Sequence, residues 1–249
     1  MKLYHYTNLA AAIGIIQEKR SLEFWGSRYD CMNDPFDSQF AQNRIEPVIR
    51  NSARNNKLQK IETKELKVHP FIVSFSEKAD DFLMWRLYNA KVCLVLDSEY
   101  FDRQTLNHAL RKCEYISDNN EELHRAYHAI SENLMFCPNI YAFSGRISTF
   151  IKHAAFKDEG EVRLATWNYY DEKDNTVSIE KVYTNRRKDD DGIVKDKKFQ
   201  TRIGANGKIT IYKKFHINGN ALAGIIVHSY SEIEFEAIKE QLRSILICK

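Results

Sequence analysis

The chain has few residues of the types that mark cross-linked scaffolds or flexible linkers. Its 249 residues include four prolines, nine glycines and five cysteines, and no stretch is rich in serine, glycine or proline. The cysteines are odd in number, scattered, and never spaced as C-x-x-C. The sequence therefore indicates neither a disulfide framework nor a zinc knuckle, and we expect a cytoplasmic protein in a reducing compartment.

Several motifs of well-known function classes are also missing. The sequence has no P-loop, no G-x-G-x-x-G and no G-x-S-x-G, which disfavours kinases, dehydrogenases of the dinucleotide-fold type and hydrolases with a nucleophile elbow. His124 and His128 have the spacing of two zinc ligands on a helix, but no H-E-x-x-H pattern and no third ligand accompany them. We expect no metal site.

No apolar segment is long enough for a signal peptide or a membrane span, so we expect no membrane association. The net charge of +3 is a mild basic bias that is compatible with nucleic-acid contact without demonstrating it. Hydrophobic residues make up 43% and aromatic residues 12% of the chain, which is enough for a packed core.

Hydrophobic periodicity predicts an α+β fold. Predicted strands cover Lys2 to Tyr6, Ser21 to Trp25, Phe71 to Ser76, Val92 to Leu96, Glu161 to Trp167, Thr176 to Tyr183, Ile209 to Phe215 and Leu222 to Val227. Predicted helices cover Leu9 to Lys19, part of Gln39 to Lys67, a short segment around Leu83 to Tyr88, Arg103 to Arg111, Glu121 to Phe136, Tyr141 to His153 and Glu232 to Ile247.

This length fits one large domain or two small ones, and the shortage of linker sequence favours one. We therefore expect residues 1–249 to form a single domain, with helical insertions at about 37–67 and 103–153. A charged segment at 184–208 alternates basic residues with Asp189, Asp190, Asp191 and Asp196. We interpret this segment as a solvated hairpin loop, and any ligand of it as a phosphate backbone.

The first candidate site lies in Tyr4-His5-Tyr6-Thr7, a short predicted strand followed at once by an apolar helix. His5 and Thr7 project from the same side of such a strand. An imidazole and a hydroxyl placed together can hydrogen-bond a ribose or an amide. A lone histidine in this position is also common as a structural residue.

Two acidic residues form the second candidate site. Glu159 and Glu161 are two apart, so an extended segment would project both carboxylates from one face, together with Arg163. Two neighbouring carboxylates repel each other and shift pKa values unless a cation joins them. The pattern therefore fits either a catalytic pair or a structural Glu–Arg ladder.

Two further groups of residues can line a pocket or belong to the core. Ser74 and Ser76 share one face of a predicted strand, opposite the side chain of Phe75. Trp85 and Tyr88 are three apart on a predicted helix, and together can form an aromatic wall for a flat ring.

Taken in order along the chain, these segments resemble a bacterial family that is defined only as domain of unknown function 2971. The family patterns are Y-H-Y-T, N-D-P-F, S-F-S, M-W-x-x-Y and K-x-x-x-F-x-x-E-x-E-x-R. They correspond here to Tyr4–Thr7, Asn33–Phe36, Ser74–Ser76, Met84–Tyr88 and Lys152–Arg163. One departure is that Asn89-Ala90-Lys91-Val92 stands where the family typically has a glycine after the aromatic segment.

The same order of segments resembles the ADP-ribosyltransferase superfamily. That resemblance implies a split, mixed or antiparallel β core, flanked by helices, that binds NAD+ as a substrate in a cleft. It implies that His5, Tyr6 and Thr7 contact the cofactor and that Ser74 and Ser76 support the ribose and the glutamate. Trp85 or Tyr88 would stack nearby. Glu161 would be catalytic, and Glu159 would orient the acceptor.

The expected function is therefore mono-ADP-ribosylation of a macromolecule by a toxin or phage-defence enzyme. The mild basicity and the 184–208 segment favour a nucleic-acid acceptor, either RNA or DNA. Transfer to a protein side chain and hydrolysis of NAD+ remain alternatives, as does a non-catalytic module that binds a nucleotide or a partner. The resemblance also implies a protein antitoxin.

Overall fold

A computed structural model describes residues 1–16, 21–32, 35–55, 67–101, 108–132, 139–170, 200–203 and 207–247. The strands in these ranges are β1 Lys2–Thr7, β2 Ser21–Arg28, β3 Lys67–Ser76, β4 Val92–Asp97, β5 His108–Lys112, β6 Glu114–Ile116, β7 Ile151–His153, β8 Glu161–Tyr170, β9 Gln200–Ile203, β10 Ile209–Asn218 and β11 Leu222–Val227. The α-helices are α1 Leu9–Ile16, α2 Pro35–Asn55, α3 Phe82–Leu87, α4 Asn120–Ser131, α5 Ile140–Ser148 and α6 Glu232–Ile247.

Nine of the described strands form one curled antiparallel sheet. Seven of them follow the order β11-β4-β1-β3-β2-β10-β9, while β8 pairs with the other edge of β3 and β5 pairs with β8. β6 and β7 form a separate parallel pair. The α+β class predicted from the sequence is confirmed at this level.

The sheet forks at β3. One edge of β3 pairs along its whole length with β8. The other edge is shared, because β1 pairs at Ser76 and β2 pairs at Phe71 and Ile72. Between these two contacts β1 and β2 separate, and a cavity occupies the space between them. We call this space the fork.

Two hydrophobic cores cover opposite faces of the sheet. One core contains Phe71, Val73 and Phe75 of β3 and packs against α1 and α6. The other contains Val68 and Ile72 and packs against α2, α4 and α5. Because side chains alternate along a strand, burial of both faces explains why the middle of β3 is apolar almost without interruption.

The predicted helix over Arg103 to Arg111 is wrong in its described part, where His108–Lys112 is strand β5. The spacing of Leu106, Ala109 and Leu110 resembles a helical face, but pairing with β8 decides the local structure. The 103–153 insertion is accordingly not wholly helical, because it holds β5, β6 and β7 as well as α4 and α5. The predicted helix over Tyr141 to His153 ends at Ser148, before β7.

Some predictions lie outside the described residues. They are the strand over Thr176 to Tyr183, most of the 184–208 segment, and Asn33 and Asp34 of the N-D-P-F pattern. Within the described ranges, none of the helices combines the length and the apolar character that crossing a bilayer requires.

Candidate functional site

The fork holds a cavity of about 820 Å³, within the size range of small-molecule sites. Its walls come from the diverging strands β1 and β2, the middle of β3 and one side of α1. Eight of the nine sequence-predicted site residues line it: His5, Tyr6, Thr7, Ser74, Ser76, Tyr88, Glu159 and Glu161. Residues up to 156 positions apart in the sequence therefore line one cavity.

Trp85 is the exception, because it does not line this cavity. The indole is buried against Tyr6, stacks on the His228 ring, and donates its N–H to Asp80 Oδ1 at 2.9 Å. α3 turns Trp85 into a small third hydrophobic cluster with Tyr6, Met84, Ala90 and Cys93. Tyr88, which follows the helix, lines the cavity.

The His5 side chain occupies part of the gap between β1 and β2. Its Nδ1 lies 3.0 Å from the carbonyl oxygen of Ser74, at the stretch of β3 between the two pairing partners. Since a carbonyl only accepts, Nδ1 carries the proton and Nε2 is left as an acceptor. Phe24 and Phe75 flank the ring, and burial lowers the pKa of His5 despite the hydrogen bond to Ser74. The imidazole is therefore neutral at pH 7.

Tyr6 has a structural hydrogen-bonding role. Its hydroxyl donates to the Lys78 carbonyl at 2.6 Å and accepts the N–H of Asp81, the residue that caps α3. Burial raises the pKa of Tyr6 to about 12, so the hydroxyl keeps its proton. Tyr6 thereby fixes the loop between β3 and α3 at the edge of the cavity.

The two carboxylates meet on one lysine. Lys152 Nζ lies 2.7 Å from Glu159 Oε2 and 2.8 Å from Glu161 Oε2. The Arg163 guanidinium binds both oxygens of Glu161, each at 3.0 Å, and donates to the carbonyl of Thr149. Two acids and two bases thus form one buried cluster.

The chain reaches this arrangement through a turn and not through one continuous strand. Glu159 ends a 3₁₀ helix over Ala154–Glu159, and Gly160 follows with the left-handed φ of 53° that glycine tolerates best. β8 begins at Glu161, opposite Ser76. The expectation that Glu159 and Glu161 share the face of an extended segment is therefore wrong, although their side chains converge.

Ser76 holds this turn in place. Its hydroxyl donates to the backbone carbonyl of Glu159 at 2.7 Å and accepts the N–H of Lys78. The Ser74 hydroxyl is different, because it is buried and has no hydrogen-bond partner among the described residues. A buried orphan hydroxyl on a cavity wall is a ready donor or acceptor for a ligand.

The acidic side chains of the cluster face the cavity and the basic ones do not. Glu159 and Glu161 line the cavity, whereas Lys152 and Arg163 do not and are almost fully buried behind them. The cavity wall is consequently the negative side of a neutral cluster. Burial alone would raise the pKa of Glu161, but Arg163 and Lys152 outweigh it and lower the pKa to about 2. Glu161 is ionised at neutral pH.

Tyr88 adds a neutral phenol beside this wall. Burial, followed by the charges of Glu161 and Glu159, raises the pKa of Tyr88 above its ordinary value. The hydroxyl therefore stays protonated and can donate a hydrogen bond, while much of the ring is exposed at the cavity.

The lowered pKa of Glu161 predicts acid sensitivity. An ordinary pKa of 4.5 falls to about 2 on folding, so the stabilisation is complete above pH 4.5 and is lost as the pH falls through about 2. We expect the gap in unfolding free energy between the parent and Glu161→Gln to shrink by about 2 kcal/mol from pH 6 to pH 3. Urea unfolding at both pH values measures it, and a gap independent of pH contradicts the ion cluster.

Sequence reasoning missed several residues of the cavity wall. Phe24 and Trp25 of β2 line it, as do Ala10, Ala11 and Gly14 of α1 and Arg202 of β9. The small residues of α1 gave a signal, because three of them fall on one face of a short helix. Arg202 gave none, since it lies in the segment interpreted as a solvated loop.

Among the described residues, no group of three or more His, Cys, Asp or Glu side chains is placed to hold a metal ion. His124 and His128 both lie on the exposed side of α4. Comparison of the chain with protein-family models, curated proteins and solved structures finds no match.

Proposed function

We propose that this chain is an ADP-ribosyltransferase that binds NAD+ in the fork between β1 and β2. The observation that carries the proposal is the convergence of His5, Ser74 and the Glu159–Glu161 pair on one cavity of about 820 Å³. The fork also supports it, since a split β core is what the resemblance to that superfamily implies.

The negative wall suits the chemistry of NAD+ cleavage. As the bond between C1′ and the nicotinamide nitrogen breaks, its electron pair leaves with nicotinamide and positive charge develops on the ribose. A fixed carboxylate stabilises that charge more than it stabilises bound NAD+, and such preorganised contacts account for much of enzymatic rate enhancement. Arg163 and Lys152 hold Glu161 in place from the side away from the cavity.

Glu159 is the better placed acid for the acceptor. Its Oε2 is bound to Lys152, but its Oε1 has no hydrogen-bond partner among the described residues. In the proposed second half of the reaction, a nucleophilic N or O of the acceptor forms the new bond to C1′, and its proton passes to Glu159. Glu159 is then returned to its ionised state by solvent.

His5 and Ser74 supply polar contacts for the ligand in this proposal. His5 Nε2 accepts a ribose hydroxyl or a carboxamide N–H, because Nδ1 is committed to the Ser74 carbonyl. The Ser74 hydroxyl, unpartnered among the described residues, gains a partner when the ligand binds. Thr7 and Tyr88 line the same space.

We assign a nucleic-acid acceptor, RNA or DNA, on the basis of the net charge of +3 and the basic residues within 184–208. An enzyme of this kind is a toxin or defence factor in the cytoplasm and has a neutralising protein antitoxin. Growth arrest on expression that Glu161→Gln relieves is the expected cellular result.

The test is incubation of the purified protein with NAD+ labelled in the adenylate, together with RNA, DNA and cell protein. We expect nicotinamide release and label in the nucleic-acid fraction that nuclease removes and protease does not. Protease-sensitive label redirects the proposal to a protein side chain, and free ADP-ribose redirects it to hydrolysis. Absence of nicotinamide release under all of these conditions overturns it.

One observation favours a second candidate, a non-catalytic nucleotide-binding module. Both oxygens of Glu161 already bind Arg163, and one of them also binds Lys152. A carboxylate so fully engaged also suits a purely structural role. Binding of NAD+ or ADP-ribose without any nicotinamide release identifies this alternative.

A further inference from the structure

We propose that Arg202, on the β2 arm of the fork, forms a separate subsite of the cavity for a phosphoryl group. The proposal rests on the function proposed above in assigning that group to the diphosphate of NAD+. The subsite itself follows from the surroundings of Arg202, which are independent of the carboxylate cluster.

The guanidinium of Arg202 is held from three sides. Nη2 donates to the Ser27 hydroxyl at 3.2 Å. The guanidinium carbon lies 5.4 Å from the centre of the Trp25 ring and 5.5 Å from that of Tyr212, and these two rings stack on each other at 4.7 Å. An arginine so restrained loses little further conformational entropy when it binds a ligand.

Arg202 has no anionic partner among the described residues. No carboxylate lies within 4.0 Å of it in the part of the chain that the structure describes, and its buried Nε has no hydrogen-bond partner there. Glu23, the acid on the same arm, is engaged by Lys214 at 2.9 Å and by the indole N–H of Trp25 at 2.7 Å. Arg202 therefore offers an unused cation to the cavity that it lines.

The donors of Arg202 suit a phosphoryl group. Guanidinium presents paired donors that match two oxygens of a phosphate, and a charge-assisted pair of this kind is stronger in a partly desolvated site. The stacked rings behind Arg202 remove water from one side of it. A flat base next to the phosphates can also use the exposed part of Trp25.

The spacing within the fork suits an elongated ligand. Ser27, which holds Arg202, pairs with Ile72 of β3, whereas Glu161 pairs through β8 with Ser76. Four residues of strand separate the two levels, which is about 13 Å. One ligand that contacts both ends must therefore be elongated, as NAD+ is.

The test is calorimetric titration of NAD+, ADP-ribose and inorganic pyrophosphate into the parent, Arg202→Gln, Arg202→Lys and Arg243→Gln. Arg243 is an exposed arginine of α6 outside the cavity, so its variant matches the change in charge. We expect Arg202→Gln to weaken the phosphate-bearing ligands by about 10- to 100-fold, Arg202→Lys to weaken them less, and Arg243→Gln to have no effect. Thermal unfolding establishes that each variant is folded.

The outcomes separate the two proposals. If ADP-ribose binds the parent and Arg202→Gln equally, the subsite is overturned while the NAD+ site stands. If pyrophosphate binding depends on Arg202 but NAD+ is neither bound nor cleaved, the subsite stands and the enzymatic proposal fails. If none of the three ligands binds the parent, the subsite is overturned. Should Arg202→Gln not fold, the Arg202→Lys titration decides in the same way.

Discussion

Replacing Glu161 by glutamine is expected to slow nicotinamide release from NAD+ by about 100- to 1000-fold. The amide keeps the shape of the side chain and can still accept from Lys152 or Arg163, but it removes the negative charge from the cavity wall. Because the charge matters most when the ribose becomes cationic, the loss should fall on kcat and leave NAD+ affinity little changed. Steady-state kinetics and calorimetry on the same preparations measure the two effects.

Two other glutamates supply a contrast and a matched control for this prediction. Glu159→Gln is expected to slow transfer to the acceptor more than it slows nicotinamide release, since the proposal assigns the acceptor proton to Glu159. Glu240→Gln changes the same charge on the exposed face of α6 and should leave both rates unaltered. A folded Glu161→Gln protein that cleaves NAD+ at the parent rate contradicts the catalytic role and leaves Glu161 as a structural group.

Replacing Arg163 by methionine should destabilise the protein by about 3 to 5 kcal/mol. Arg163 is 1% exposed, and its loss leaves the buried carboxylate of Glu161 with Lys152 as its remaining cation and the Thr149 carbonyl without this donor. An uncompensated buried charge is among the most destabilising changes a core can receive. Urea unfolding at pH 7 gives the difference directly.

The double variant Arg163→Met with Glu161→Gln tests the same cluster without a charge imbalance. It leaves Lys152 and Glu159 as one ion pair, 2.7 Å apart. We therefore expect the double variant to be less destabilised than the sum of the two single variants, by about 1 to 3 kcal/mol. Strictly additive changes in unfolding free energy would mean that the two 3.0 Å hydrogen bonds between Arg163 and Glu161 contribute no interaction energy.

Local sequence signals predict the elements whose ends are fixed by contacts between neighbouring residues. The last helix was predicted over Glu232 to Ile247 and is found there. Ser231 accepts the N–H of Glu234, and Glu234 in turn accepts the N–H of Tyr230, which are local contacts that sequence spacing reveals. The strand over Leu222–Val227 was likewise predicted with its observed bounds.

Long-range contacts decided what the sequence could not predict. The His5 side chain bonds to the Ser74 backbone carbonyl, 69 positions away. This contact forms where neither β1 nor β2 pairs with β3, and no local sequence pattern indicates that position. Lys152 belongs to the motif that suggested the site, yet its role in joining Glu159 and Glu161 depends on the turn at Gly160. The strand β5 was mistaken for a helix because only its pairing with β8 distinguishes the two.

The most direct test of the NAD+ site is calorimetric titration of NAD+ into the parent protein and into Ala11→Trp. Ala11 is an exposed residue of α1 that lines the cavity, so an indole there obstructs the fork without disturbing either core. Ala237→Trp, at an exposed position of α6 outside the cavity, is the matched control. An NAD+ site in the fork predicts one NAD+ per chain for the parent and for Ala237→Trp, and no binding to Ala11→Trp. NAD+ binding that Ala11→Trp leaves unchanged, or no binding to the parent, contradicts it.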